Sequence, residues 1–486
     1  MKSICFPFLT LLLTTQWSVC QSSLNAPLAS EKKAVIQALD AKKQQYVEVA
    51  SSIWKLAELG YKEGKSASLL QSMLKEEGFV ISAGVAGIPT AFTATFGSGS
   101  PVIGVLGEFD ALPGFSQDAV PYKKDLPGNT NGHACGHHLF GSASAAAAIA
   151  VKNWLKTTGR KGTIRFYGTP AEEGGAGKVY MVREGLFQDV DAVIHWHPGD
   201  DNNANPISSL ANKSAKFRFR GVASHAAASP ERGRSALDAV EALNYMVNMM
   251  REHIPEKSRI HYVITRGGEA PNVVPAFAEV YYYIRHPEMD VVKDIFNRVA
   301  KAAEGAAMGT GTTMDYEVIH GVYNLLPNQI LSTNLYENLK HVGGVTYDQT
   351  EMDFATRIFP SLNRKDVNLT DAALVKPYAD QSDEAFGSTD VGDISWLVPT
   401  AGISSATWVP GTAAHSWQAV AAGGMSIGHK GMMVAAKTMA LSIMDCLVNP
   451  EMLKNAKEEL LKRRGGDQFK YEALLGDRNP PLDYRN

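Results

Sequence analysis

Four short stretches hold side chains whose chemistry and spacing suit metal-assisted hydrolysis. The strongest is His133-Ala134-Cys135-Gly136-His137-His138. In an extended segment, residues two apart face the same way, so His133, Cys135 and His137 could present imidazole, thiolate and imidazole together. These borderline-soft donors suit zinc and related divalent cations. A histidine-rich surface turn needs no function. Here, however, three histidines and a rare cysteine fall together behind Gly128-Asn129-Thr130-Asn131-Gly132, a loop with little else to do. The second stretch, Pro170-Ala171-Glu172-Glu173-Gly174-Gly175, closes an expected strand. Adjacent carboxylates repel unless a cation neutralises one of them, and at a strand end they can point apart, one to a metal and one to a water. Metal-assisted hydrolysis needs that division between a Lewis acid and a general base, although a solvated glutamate pair in a glycine loop is also an ordinary feature. The third, Ile194-His195-Trp196-His197-Pro198, ends another strand, where open α/β sheets place their ligands; a single histidine there is more often a packing residue. The fourth, His415 in Gly411-Thr412-Ala413-Ala414-His415-Ser416-Trp417, says little by itself.

These stretches need a scaffold, and the hydrophobic pattern supplies one. Amphipathic helices are expected over 31–59 and 67–77. A β-rich run over 102–107 leads into Glu108-Phe109-Asp110-Ala111-Leu112-Pro113. Then a helix (139–156), a strand (163–167), a helix (179–184) and a strand (192–197) alternate. Such alternation predicts an α/β unit with a mostly parallel sheet covered by helices on both faces. From about Lys213 to His320 the rhythm changes to strand 214–220, helix 235–253, strands 259–265 and 276–284, helix 291–307 and strand 312–319. That β-α-β-β-α-β order is the ferredoxin-like α+β unit, complete in itself. Asn/Gly/Pro-rich segments at 199–206 and 321–328 bracket it, so the expected organisation is a catalytic domain over 21–212 and 329–486 with residues 213–328 inserted. The tail after Arg464, with Pro480-Pro481, is expected to be loosely attached.

Composition narrows the function. The chain has 486 residues, 45% hydrophobic and 20% charged, as an ordinary globular protein does. Its 47 basic and 50 acidic residues give a formal charge of −3, so no global basic field attracts nucleic acid or an anionic membrane. Residues 1–20 read as a signal peptide: Lys2, an apolar core over 4–13, and a small-x-small pattern at Ser18-Val19-Cys20. Export is therefore expected, to the periplasm or the extracellular space, with lipid attachment at Cys20 the alternative. Beyond the leader, no stretch reaches a spanning length of about 18 unbroken apolar residues. Cys5 and Cys20 lie in the leader. The two remaining cysteines are no disulfide framework: Cys446 fits the core of an apolar helix, and Cys135 needs another explanation.

Assembled, the pattern resembles the co-catalytic metallopeptidase family that contains aminoacylases, hippurate hydrolases and auxin-conjugate hydrolases. The stretches that carry the resemblance are GEFDALPG (107–114), GHACGH (132–137), TIRFYGTPAEEGGAGKVYMVREG (163–185), DVDAVIHWHP (189–198), GRSALDAV (233–240), PNVVP (271–275), STDVGDISW (388–396) and HKGMMVAAKTMA (429–440). They cover nearly everything after the leader, in order. The resemblance implies two divalent metals, zinc or manganese, held by Cys135, His137, Glu173, His197 and His415, with Glu172 as general base. Counting from Asp191 favours His197 over His195, and the alternative stays open. Asp110 is expected to support the ligand loop, and His138 departs from the family pattern. The resemblance also implies that the inserted domain mediates dimerisation and that its His225 reaches towards the partner subunit's site to stabilise the oxyanion there, with Asn272 and Arg285 as substrate contacts. The implied substrate is an N-acyl amino acid, foremost an aroyl-glutamate such as the folate fragment p-aminobenzoyl-glutamate. A homodimer is expected, or a pairing with a homologous A-type subunit. Two other readings remain: an N-acyl amino acid hydrolase or dipeptidase of different specificity, and an exported metal-binding protein without catalysis.

Overall fold

The computed structural model describes residues 16–379 and 387–485. Most of the expected leader, residues 1–15, lies outside the described residues. Where one helix was expected over 31–59 there are two, α1 (Gln16–Ala41) and α2 (Lys43–Leu56), separated at Lys42. The break lets them take different partners: α1 packs on the helices numbered α4 and α12 below, whereas α2 packs on α4 and on α3 (Gly64–Glu76).

The main sheet begins with β1 (Val80–Ala83) and β2 (Phe92–Ser98), followed by β3 (Val102–Gly107). A two-residue ladder, β4 (Leu112–Pro113) with β5 (Asn131–Gly132), ties the loop that leads to Cys135. Then come α4 (His137–Thr158), β6 (Gly162–Gly168), α5 (Gly177–Arg183) and β7 (Ala192–Gly199). The sheet is completed much later by β12 (Thr400–Ala406), in the order β1-β2-β6-β3-β7-β12. The last four strands in that order run parallel, and β1 and β2 are antiparallel additions at one edge. All six residues of β3 are buried, as expected of a strand covered on both faces. Register aligns the functional ends: Gly107 pairs with Gly168, Val105 with Ile194 and His197 with Ser404, so the four parallel strands end at about one level.

The inserted unit is β8 (Ala211–Arg220), α6 (Ala236–Met250), β9 (Arg259–Arg266), β10 (Phe277–His286), α7 (Met289–Thr310) and β11 (Thr313–Val322). Its sheet order is β11-β8-β10-β9, antiparallel throughout. Phe217, Val280, Tyr282 and Ile284 face Val240, Leu243, Val292 and Phe296 of the two helices, forming a core of its own. Period-2 alternation puts Tyr281, Tyr283 and Arg285 on the other face.

Return to the main unit adds α8 (Gln329–Val342), α9 (Gln349–Ile358), α10 (Val391–Ser395), α11 (Trp417–Gly423), α12 (Ser426–Val448) and α13 (Pro450–Arg463). Helix α12 is long and apolar enough to cross a membrane, but 83% of its most apolar window is buried inside the protein, as for a core helix, and Cys446 is buried within it. The loose tail expected after Arg464 is not observed. Phe469 packs on Trp396 with ring centroids 5.0 Å apart, Leu474 and Leu475 are each 3% exposed, and Tyr471 donates to Asp393 at 2.8 Å. Four apolar side chains within seven residues outweigh the loosening effect of the later prolines.

Candidate metal centre

Cys135 and His137 sit on either side of Gly136, which takes a left-handed φ of 76° and starts α4. A Cβ at Gly136 would lie 2.6 Å from the Pro198 side chain, so only glycine permits this approach to the end of β7. Cys135 Sγ then lies 3.4 Å from His197 Nε2. His197 Nδ1 donates to the Pro198 carbonyl at 2.7 Å, which leaves Nε2 as the ring's free lone pair. His137 is prepared the same way: Nδ1 donates to Asp110 Oδ1 at 2.9 Å, just beyond β3, freeing Nε2. Asp110 Oδ2 accepts the Glu173 backbone N–H at 3.0 Å, so one carboxylate aligns two of the expected ligands. His415, at a left-handed φ of 57°, donates its backbone N–H to the Ala134 carbonyl at 2.9 Å. The next residue, Ser416, caps α11 through Ala419 N–H. His415 Nε2 thereby reaches Glu173 Oε1 at 3.2 Å.

Donor atoms converge in two triads that share one sulfur. Cys135, His137 and His197 form one, and Cys135, Glu173 and His415 the other, with all atoms of each triad within 4.8 Å of one another. Glu172 stands outside both, in a further group with Glu108 and His137. Beneath the triads runs a buried charge network. Lys178 Nζ lies 2.7 Å from Glu108 Oε1 and 2.7 Å from Asp390 Oδ1, and Asp390 also accepts the Lys178 backbone N–H.

The electrostatics suit bound cations. Burial and then the Glu173 charge push the Cys135 thiol up, away from the thiolate that a metal needs. Burial, followed by the charges of Glu108, Glu173 and Asp390, pushes Glu172 well above the usual carboxylate range. Burial and the neighbouring His137 push His197 down, leaving it neutral and able to ligate. Although burial opposes it, the Lys178 ammonium and then the imidazoles of His137 and His197 hold Glu108 below its ordinary value. His137 Nε2 and Glu108 Oε2 are buried without a hydrogen bond, although they lie 3.1 Å apart. An unpartnered buried imidazole lone pair beside a thiol and a carboxylate is a fitting donor set for a divalent cation, whose charge would bring the Cys135 thiol and the Glu172 carboxyl back down and keep His197 and Glu108 deprotonated.

Other expected residues go elsewhere. His195 shares the His197 face but lies against Gly402 of β12, pushed down to about 4 by burial, and belongs to neither triad. His133 does not join Cys135 and His137, because the chain turns over Ala134-Cys135, with the Gly136 N–H bonded back to the His133 carbonyl at 3.1 Å. His133 Nε2 donates to the Ile53 carbonyl at 3.1 Å instead. His138 lies against His133, ring centroids 4.9 Å apart and tilted by 50°, and donates to the Gly423 carbonyl, a structural position. His225 and Asn272 are brought together on the inserted unit, where His225 pairs with Val273 and the Asn272 carbonyl accepts Ala226 N–H. Arg285 lies over Tyr283 on the open face of that unit's sheet, its Nε buried and unpartnered. Residue-by-residue reading missed Glu108, Lys178 and Asp390. Charged residues inside GEFDALPG, GGAGKVYM and STDVGDISW, otherwise small and apolar stretches, were the available signal.

A parallel-sheet domain with shared-thiol donor triads at its strand ends, joined to a ferredoxin-like unit, defines the two-domain metallohydrolase class. The description "Peptidase family M20/M25/M40" matches residues 104–419, and the chain belongs to that family and is an amide-bond hydrolase. Over 447 residues it is 44% identical to the B-type component of p-aminobenzoyl-glutamate hydrolase from Escherichia coli K12, covering 87% of this chain and 93% of that one. It is 29% identical to the Xaa-Arg dipeptidase of Mus musculus, covering 90% and 94%. In fold it is similar to a dinuclear metal-binding M20 peptidase of Bacillus subtilis, with a TM-score of 0.58, 16% identity, and coverage of 85% and 99%.

Proposed function

We propose that this hydrolase cleaves the amide bond of an N-acyl amino acid, with p-aminobenzoyl-glutamate, named for the bacterial relative, as the leading substrate. The observation that carries the reading is the pair of donor triads joined at Cys135, with the Glu172 carboxylate beside them and free of both. Zinc or manganese ions held by Cys135, His137, His197, Glu173 and His415 would supply Lewis acidity to a water and to the amide carbonyl. Glu172 takes the water's proton and returns it to the leaving amine. The ordinary carboxylate range is restored to Glu172 only when nearby positive charge offsets its buried acidic neighbours. His225 donates to the carbonyl oxygen as negative charge develops there. Its Nδ1 accepts the backbone N–H groups of Ala227 and Ala228, which places the ring proton on Nε2, ready to donate. Asn272 lies beside it as a polar substrate contact, and Arg285, with an unspent buried Nε, takes the substrate carboxylate.

The inserted unit serves as a dimerisation surface in this reading. Strand β9 is an edge strand exposing Val263 and Ile264, and Tyr245 and Met249 of α6 are also exposed, a combination suited to pairing with a second chain. That chain is a second copy or a homologous A-type subunit. Export follows from residues 1–20, removed as a signal peptide. The deciding experiment is metal analysis of the purified protein with hydrolysis of p-aminobenzoyl-glutamate before and after chelation, beside N-acyl aliphatic amino acids and Xaa-Arg dipeptides. Close to two equivalents of metal and a chelator-sensitive preference for the glutamate conjugate are expected. Metal without turnover of any amide would refute the reading.

A further inference from the structure

The loop that carries Glu172 and Glu173 is held in a costly backbone shape. Ala171 and Ala176 both adopt left-handed φ values, 57° and 56°, and Gly174 lies at 106° between them. Non-glycine residues take such conformations only where the surroundings impose them. Four ties impose this one. Glu63 accepts the Ala171 N–H at 2.8 Å, Asp110 accepts the Glu173 N–H, Tyr61 donates to the Gly175 carbonyl at 2.7 Å, and the last described residues take the Glu173 carbonyl. That fourth tie comes from the far end of the chain: Arg485 donates to the Glu173 oxygen, and Tyr484 Oη lies 3.4 Å from it. Tyr484 is locked in turn, edge-on to Tyr61 at 5.6 Å and against Gly60, where a Cβ would approach its hydroxyl to 2.3 Å.

The same tail is anchored on both structural units before it reaches the loop. Arg478 donates to the Val318 and Ile319 carbonyls of β11. Arg183 of α5, the helix that follows the metal loop, donates to the Gly476 and Arg478 carbonyls at 3.1 and 2.7 Å. Gly321 of β11 leaves no room for a side chain beside Leu474, with 2.7 Å between a Cβ there and the Leu474 Cβ.

We propose that Tyr484 and Arg485 are positioning residues for the metal centre: the C-terminal tail clasps the Glu173 carbonyl, fixes the backbone from which the Glu173 carboxylate reaches its cation, and ties that loop to β11 of the inserted unit. The inference rests on the reading of Glu173 as a metal ligand. With both backbone groups of Glu173 already bonded, only its side chain is left to reorient. Loss of the clasp therefore loosens one ligand rather than unfolding the protein.

The test compares the full chain with a chain ended after Asp483, with Arg485→Ala and with Arg485→Lys. Two quantities are read: hydrogen exchange of the 171–176 amides in metal-free protein, and affinity for Mn²⁺ and Zn²⁺ by competition with a chromogenic chelator. Shortening the chain is expected to speed exchange in this loop and to weaken binding of one of the two ions by about tenfold, the usual scale for losing a ligand's support. The melting temperature of the metal-free protein should change little. Lysine, which can still donate to the carbonyl, should recover most of the affinity that alanine loses. Metal affinity within about twofold of the full chain, whatever the exchange result, overturns the positioning role. A full chain that takes up no divalent ion refutes the metal reading instead, and loop exchange alone then decides whether the tail holds the loop.

Discussion

Replacing Lys178 with methionine tests whether the charge network under the site is a structural necessity. Lys178 is wholly buried, and each of its carboxylate partners, Glu108 and Asp390, lies 2.7 Å away. Removing one partner of a buried ion pair costs about 3–5 kcal/mol, because the remaining charge is stranded. Here two charges of one sign are stranded, and the cheapest escape is to protonate one of them. At pH 7 that costs about 3.4 kcal/mol for a carboxyl with an unfolded pKa near 4.5, at about 1.36 kcal/mol per unit. The two routes agree on a loss of about 3–4 kcal/mol at pH 7. The sign of the pH dependence follows. Without the ammonium, the folded pKa of one carboxyl rises far above its unfolded value, so the variant's stability is greatest below the unfolded pKa and is lost as pH rises. The deficit relative to the parent should therefore shrink by about 1.4 kcal/mol per unit from pH 7 to pH 5. Urea unfolding of both metal-free proteins across that range measures it, and adding Asp390→Asn to the variant should recover much of the loss. A deficit below about 1 kcal/mol, or one independent of pH, would refute the reasoning.

Three further outcomes are expected. Glu172→Gln should lower kcat by about 10²–10⁴-fold or more while metal content is unchanged, and near-normal turnover would exclude Glu172 as the base. His197→Ala should lose one equivalent of metal, whereas His195→Ala should keep both; the reverse would reassign the ligand on β7. Burial raises Asp393 to about 7 against the Tyr323 N–H and Tyr471 hydroxyl that it accepts. A carboxyl raised in this way gives stability that is present below its unfolded pKa and lost as pH climbs through the folded one, about 1 kcal/mol between pH 6 and pH 8. Asp393→Asn should flatten that part of the metal-free stability profile, and an unchanged slope would place the titration elsewhere.

What could be seen in advance was whatever the chain writes locally. Glu173 and His197 were legible because each sits in a short motif at or just beyond the end of a parallel strand, and strands that end at one level bring such motifs together; His415, well past β12 and just before α11, was placed only by the family resemblance. The β-α-β-β-α-β run was legible for the same reason: its period changes within single elements. Failures came where a residue's partner is remote or where one turn alters the phase. His133 seemed to belong with Cys135 and His137 only while the segment was taken as extended; the turn over Ala134-Cys135 sends it to Ile53 instead. Lys178 and Asp390 are 212 residues apart, and no local pattern distinguishes a lysine that will be fully buried from the many that stay in water. The tail misled because Pro480-Pro481 argued for looseness, while Phe469, Tyr471, Leu474 and Leu475, all placed against one core or the other, were the residues that decided its path. In each failure the missing quantity was the same: the identity of the distant group that makes a local conformation or a buried charge tolerable. At this site that group is regularly a backbone carbonyl or a carboxylate from another element. The least legible residues, Lys178, Tyr484 and Arg485, are therefore the ones that hold the legible ones in place.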